Sequence, residues 1–189
     1  TAPFETPIVC PVLIGRERQF DLLLRLIDQA RIGQGQTTLI AGEAGIGKSR
    51  LIAELKPAAT SQGLTILQGR CFEPDRVLPY APLLDLLRSW LAGRAAHEVA
   101  DMLADQAAEL IRLLPELAAH LPSTLPNLPS DSEQEQRRRV QALVQFFTRL
   151  AASQPLILIV EDLHWSDEAS LDLLLALARN ISTHPILLL

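Results

Sequence analysis

Gly42, Gly45, Gly47, Lys48 and Ser49 stand at the spacing G-x-x-x-x-G-K-S, in the octet Gly42-Glu43-Ala44-Gly45-Ile46-Gly47-Lys48-Ser49. Residues of these types, so spaced, can hold a chain of phosphates. Gly45 and Gly47 lack a Cβ and can take φ > 0, which lets successive backbone N–H groups turn inward around a phosphate. Lys48 adds a mobile cation for the β- and γ-phosphates, and the Ser49 hydroxyl suits a Mg²⁺ shell. A second constellation lies far downstream, where the apolar run Leu156-Ile157-Leu158-Ile159-Val160 ends in Glu161-Asp162. Two carboxylates then sit at the carboxyl end of a strand, where α/β sheets present their ligands. One could hold Mg²⁺ directly or through water, and the next could orient or deprotonate an attacking water. A nucleoside triphosphate with Mg²⁺ is the ligand these residues suggest, and no guanine-reading Asn-Lys-x-Asp sequence occurs.

The elements needed to position these residues are legible around them. Thr37-Thr38-Leu39-Ile40-Ala41 is a β-prone run before the loop, and Arg50-Leu51-Ile52-Ala53-Glu54-Leu55-Lys56 is helical after it, the strand–loop–helix setting such a loop requires. The helix starting near Gly47 aims the positive end of its dipole at the same point. It is expected to end at Lys56, because Pro57 removes a hydrogen bond and clashes with the preceding turn. Upstream, Phe20, Leu23, Leu24, Ile27 and Ala30 recur at helical spacing up to Gly33 and Gly35. Leu64-Thr65-Ile66-Leu67-Gln68 reads as a second strand. The run Leu156–Val160 suits a strand covered on both faces of a parallel sheet, and Ile186-Leu187-Leu188-Leu189 after Pro185 reads as the next one.

Residues 1–12 hold three prolines and are expected to be an extended lead-in, while 70–154 form a mostly helical insert. Its helical patterns run near 82–92 and 97–113. A connector punctuated by Pro115, Pro122, Pro126 and Pro129 follows, then a helix started by Ser130-Asp131-Ser132 and carried through Val140, Leu143, Val144, Phe147 and Leu150. The leucine spacing in these helices reads as core packing.

A chain of 189 residues with 48% hydrophobic and 21% charged content can bury one substantial core, so 1–189 is expected to be a single domain. Aromatics at 4% favour helices packed on a small sheet over an all-β sandwich. A net charge of −5 argues against a nucleic-acid-binding surface, which needs clustered cations. Arg137-Arg138-Arg139 follow Glu133 and Glu135 in a helical segment and read as a solvated face. Cys10 and Cys71 lack C-x-x-C spacing and fit a reducing, cytoplasmic setting. His97, His120, His164 and His184 are scattered, and no apolar run approaches the roughly 18 residues of a membrane span. Starting at Thr1 and stopping inside an apolar run, the chain reads as a piece of a longer protein.

Three segments taken together carry a resemblance: Leu13-Ile14-Gly15-Arg16-Glu17, the loop continued as Arg50-Leu51, and Glu161-Asp162-Leu163-His164-Trp165-Ser166-Asp167. They resemble the nucleotide-binding domain of the STAND class, signal-transduction ATPases related to AAA+ proteins. The set found in large LuxR-type transcription regulators and beside bacterial nucleotide-cyclase domains is most similar. Gly69-Arg70-Cys71 and Pro79-Tyr80-Ala81-Pro82-Leu83 share the likeness. The resemblance implies an α/β fold, the three-layer P-loop NTPase sandwich, with a parallel sheet ordered 5-1-4-3-2, its last strand missing here, and a helical insert before the Walker B strand. It implies ATP and Mg²⁺ as ligands, the residues Gly42 to Arg50 around the nucleotide, and Ile14, Gly15 and Arg16 beside the adenine, where the plainer reading is a helix start. Lys48 and Ser49 would take phosphate and metal roles. Glu161 would be the metal-side acid and Asp162 the water-orienting one, although the commoner order in the family is Asp then Glu. His164 and Trp165 would couple the γ-phosphate to neighbouring domains, or Trp165 would pack beneath the following helix.

The function expected from all this is an ATP-binding, slowly hydrolysing regulatory switch in a larger signalling or transcription-regulatory protein. Its partners would be ATP or ADP and the C-terminal domains of the same parent chain, and an unpaired first strand would favour self-association. A small-molecule phosphotransferase using the same loop and a nucleotide-binding interaction module without turnover are the alternatives.

Overall fold

The computed structural model describes residues 15–74, 79–103, 106–121 and 132–189. The lead-in 1–12, Ile14, Pro122, Pro126, Pro129, Ser130 and Asp131 lie outside the described residues. Four parallel strands, β1 (Gln36–Thr37), β2 (Thr65–Arg70), β3 (Leu156–Glu161) and β4 (Ile186–Leu188), stand in the order β1-β4-β3-β2. This is the 1-4-3-2 part of the expected order. The fold is α/β with the P-loop NTPase type of sandwich.

Sequence parity decides which layer each strand residue joins, because successive strand side chains point to opposite faces. Ile157, Ile159 and Leu187 pack with Leu23, Ile27, Leu51 and Leu55 of α1 (Glu17–Arg31) and α2 (Lys48–Ser61). Leu156, Leu158, Ile186 and Leu188 pack on the opposite layer. That layer contains α3 (Ala81–Leu91), α4 (Ala96–Leu103), α5 (Ala107–Leu113), a 3₁₀ turn at Pro115–His120, α6 (Ser132–Ser153) and α7 (Glu168–Asn180). The strands β2 and β3 are in register from Thr65 opposite Leu156 to Arg70 opposite Glu161. Both therefore end at one height. No helix among the described residues is long and apolar enough to cross a membrane.

Three local expectations need correction. The helix after the loop does not stop at Lys56 but runs to Ser61 with Pro57 inside it. An interior proline costs about 3 kcal/mol. The extra turn offsets this by burying Ala59 fully and closing on a glycine: the Gly63 N–H donates to Thr60 O (3.0 Å) and the Leu64 N–H to Ala59 O (3.1 Å). The first strand is shorter than 37–41. Its pairing with β4 stops at Thr37 opposite Leu188, extended only by the Thr38 N–H donating to Leu188 O at 2.9 Å, and Leu39 is exposed. Among the described residues the ladder is not continued along Leu39–Ala41. The 97–113 pattern is two helices, α4 and α5.

Two helical features that touch the strand ends depend on absent side chains. A Cβ on Gly35 would lie 1.8 Å from the Ile181 carbonyl oxygen, and one on Gly69 would lie 2.0 Å from that of Pro82. Gly69 in β2 thus lets the first turn of α3 seat directly on the sheet. Since the obstacle is backbone, Gly69→Ala is expected to destabilise the protein by about 1–3 kcal/mol and to lower its thermal midpoint by roughly 2–12 °C. An unchanged midpoint in calorimetry would count against this close seating.

Candidate functional site

Beyond Thr38 the chain leaves the sheet and turns through the loop. Gly45 (φ 78°) and Gly47 (φ 93°) occupy the left-handed region, and α2 begins at Lys48. No side chain caps α2, and the first-turn N–H groups of an uncapped helix start can take an anion. The Lys48 Nζ folds back to donate to Gly42 O (2.8 Å) and Glu43 O (2.9 Å), bracing the loop. Arg50 pairs with Glu54 one turn on, at 2.5 Å. At the head of α1, the Arg16 Nε lies 3.8 Å from where a Gly47 Cβ would sit, so this residue reaches the loop. The Gly15 N–H donates to Glu17 Oε1 at 3.0 Å. The Glu17 carboxyl is held below its ordinary value by its own backbone N–H and that of Gly15.

Opposite the loop, parity places Glu161 on the same side of the sheet as Ile157 and Ile159, the side of α2. Asp162 breaks that alternation with a left-handed backbone (φ 58°). Its Oδ2 accepts a hydrogen bond from Arg70 Nε at 2.9 Å, from the end of the neighbouring β2. This bond, with the carboxylate charge, raises the Arg70 guanidinium above its ordinary value. Arg70 also stacks over Phe72, 5.4 Å from the ring centroid. A 3₁₀ turn, Leu163–Trp165, follows. The Trp165 N–H donates to Asp162 O (2.9 Å) and the Ser166 N–H to Leu163 O (3.0 Å). Asp167 then caps α7 by accepting from the Ser170 N–H at 2.9 Å. On the other side of Glu161 its carbonyl accepts from the Cys71 N–H at 3.0 Å. Burial pushes the Cys71 thiol up, partly offset by a hydrogen bond with Ser166.

Loop and strand end face each other across a cleft of about 930 Å³. Gly42, Ala44, Gly45, Gly47, Lys48, Ser49 and Arg50 line it from one side, and Glu161 and Asp162 from the other. Of the expected residues, Glu43 and Ile46 belong to the loop without lining the cleft. Gly15 and Arg16 do not line it either, although Arg16 approaches the loop at Gly47, and Ile14 lies outside the described residues. Arg70 was visible in the sequence only as part of a family likeness. Its partnership with Asp162 spans 92 residues and follows from β2–β3 register, which composition does not reveal. A second groove, about 810 Å³ between α6 and α7, is lined by Arg137, Asp172 and Arg179 among others and lies away from the loop.

The donor set fits a phosphate chain with Mg²⁺. Backbone N–H groups, an ammonium and an uncapped helix start lie on one side, and a hydroxyl and two carboxylates are hard oxygen donors that could hold the metal. Mg²⁺ characteristically takes few protein ligands and keeps waters and phosphate oxygens.

Comparison with known proteins agrees with this geometry. The family model described as an AAA ATPase domain matches residues 12–189. An uncharacterized protein of Rhizobium meliloti (strain 1021) is 30% identical over 189 residues, a similarity that covers 93% of this chain and 18% of that protein. No solved structure matches the chain.

Proposed function

The chain belongs to the AAA ATPase domain family, a nucleotide-binding family, and from that premise we propose that it is the ATP-binding, slowly hydrolysing switch domain of a larger signalling or transcription-regulatory protein of STAND type. The observation that carries this reading is a cleft with Lys48 and Ser49 on one wall and Glu161 and Asp162 on the other. In this reading 1–189 is one ATPase domain working in the cytoplasm. ATP and ADP are its ligands, with Ile14, Gly15 and Arg16 beside the adenine, and its partners are C-terminal domains of the parent chain. The similarity to only 18% of a much longer protein supports a role inside a larger assembly.

Each group has a task that its position suits. Lys48 exchanges its two loop carbonyls for phosphate oxygens, and Ser49 and Glu161 hold Mg²⁺. When bound, the metal neutralises charge developing on the phosphate oxygens. Asp162 accepts a proton from water or orients it, and Arg70 fixes the direction of its carboxylate. A domain that hydrolyses slowly can spend long periods in each nucleotide state, which is what a switch needs.

Lys48→Ala is expected to weaken Mg²⁺-ATP binding by about 1.5–3 kcal/mol, the worth of hydrogen bonds to a charged group, or roughly one to two decades in Kd. Calorimetry giving equal affinities for the two proteins would exclude Lys48 from the site. The two acids should separate: Asp162→Asn keeps ATP affinity and slows turnover, whereas Glu161→Gln raises the Mg²⁺ concentration needed for binding. Indistinguishable effects on both quantities would reject the division of labour.

The edge position of β1 supports self-association as well, because among the described residues it pairs with β4 alone and runs on to the exposed Leu39. Light scattering is expected to show an apparent mass that grows with concentration. A monomer persisting at tens of micromolar would dismiss the edge as a pairing site.

A further inference from the structure

The groove between α6 and α7 is built from two matching helical rows. Arg137, Val140, Gln141 and Val144 line it from α6, and Asp172, Leu175, Ala176 and Arg179 from α7, each row at positions i, i+3, i+4 and i+7. Residues so spaced share one face of a helix. Val140, Val144 and Ala176 are half-buried and Leu175 is 50% exposed, which gives the groove of about 810 Å³ an aliphatic floor that water reaches. A third helix packs against such rows, its axis about 8–10 Å from each neighbour and its own aliphatic side chains set between theirs.

The rim carries the sign. Three consecutive arginines in α6 have different fates: Arg138 donates to Gln134 Oε1 at 3.5 Å and Arg139 pairs with Glu135 at 3.9 Å, whereas Arg137 lines the groove. Arg137 and Arg179 are both exposed, and among the described residues neither has an ion pair or a side-chain hydrogen bond. Asp172 is the one acid on the lining, so two guanidinium groups face one carboxylate in a chain whose net charge is −5. The local sign is opposite to that of the molecule. A partner that suits both floor and rim offers carboxylates beside aliphatic side chains. A second copy of this chain does not: among the described residues, the exposed large apolar side chain within a helix other than α7 is Leu22, and the exposed Arg18 and Arg25 flank it on α1. Cations would meet cations.

We propose that the α6–α7 groove is the docking site for an acidic amphipathic helix of a partner protein, whose aliphatic residues pack on Val140, Val144 and Leu175 and whose carboxylates meet Arg137 and Arg179. The groove is separate from the phosphate loop. The inference therefore does not rest on the nucleotide-binding reading.

A fluorescein-labelled helical peptide of about 18 residues, with leucines along one face, glutamates beside them and alanines elsewhere, serves as the probe. Fluorescence anisotropy with the 189-residue chain is expected to show saturable binding that weakens as salt is raised. A matched peptide with lysines in place of the glutamates should not bind. Arg137→Glu combined with Arg179→Glu should weaken the glutamate peptide about tenfold or more, and Leu175→Ala about fivefold or more. Asp172→Asn should retain or tighten it. All four side chains are exposed, so the thermal midpoint should hold in each variant, which separates lost docking from lost folding. No saturable binding of the glutamate peptide, equal binding of the lysine peptide, or full affinity in the double arginine variant or in Leu175→Ala would each overturn the proposal. Self-association that these variants abolish would assign the groove to a second copy, and capture on phosphatidylserine vesicles without peptide binding would assign it to a membrane surface. Either result overturns it as well.

Discussion

The burial of β3 on both faces is the constraint from which the rest of this molecule follows. Leu156, Ile157, Leu158 and Ile159 are each no more than 2% exposed, and they alternate between the two helical layers. At about 1.5–3 kcal/mol per fully buried aliphatic side chain, four such residues contribute on the order of 6–12 kcal/mol before chain entropy is counted. That is comparable to the whole net stability of a typical domain. A one-residue slip would exchange the faces of every side chain on the strand. It would also carry Glu161 from the α2 side to the opposite layer, away from the loop. The packing that stabilises the sheet is therefore the same packing that aims the carboxylate.

Precision at the other strand ends comes from close backbone approach. Gly69 allows the Pro82 carbonyl to sit where a Cβ would be, which seats α3 on β2 one residue before Arg70. Gly35 does the same for Ile181, just before β1 and close to the turn that leads into β4. The Gly35 N–H donates to Ser182 O at 3.1 Å, so this approach is hydrogen-bonded as well as tight. With β2 and β3 ending in register, the guanidinium of Arg70 and the carboxylate of Asp162 meet without either chain stretching.

Much of this was legible in the sequence because the signals were local. The loop glycines, Lys48, Ser49, the apolar run before Glu161 and the helical periodicity of α1, α3 and α6 each depend on neighbours within a few residues. The strand order came from resemblance to a family, and periodicity alone could not have supplied it. What escaped was non-local. Pro57 reads as a stop in isolation, yet the buried Ala59 and the cap at Gly63 carry the helix past it. Thr37–Ala41 reads as one strand, but strand length is set by the partner, and β4 pairs only as far as Thr38. Arg70 carries no motif signal for Asp162, since their encounter depends on register between strands separated by the whole helical insert.

Three of the charged side chains around the cleft, Lys48, Arg50 and Asp162, have partners within the protein, and this shapes what a ligand must do. Lys48 is held by two loop carbonyls, Arg50 by Glu54 and Asp162 by Arg70. A bound phosphate chain therefore gains only the difference between its own contacts and those it displaces. The displaced contacts are weak: the Arg70 and Asp162 side chains are 53% and 36% exposed, and ion pairs this open to water contribute about 0–1 kcal/mol. Such a pair can orient a carboxylate without trapping it. The loop contacts of Lys48 are likewise interchangeable with phosphate oxygens, because an ammonium has three donors and a flexible stem. The cleft is thus ordered by bonds that cost little to exchange, set on a sheet that is expensive to shift. That combination keeps the groups within reach of a ligand while leaving the site free to change its contacts with the state of the nucleotide.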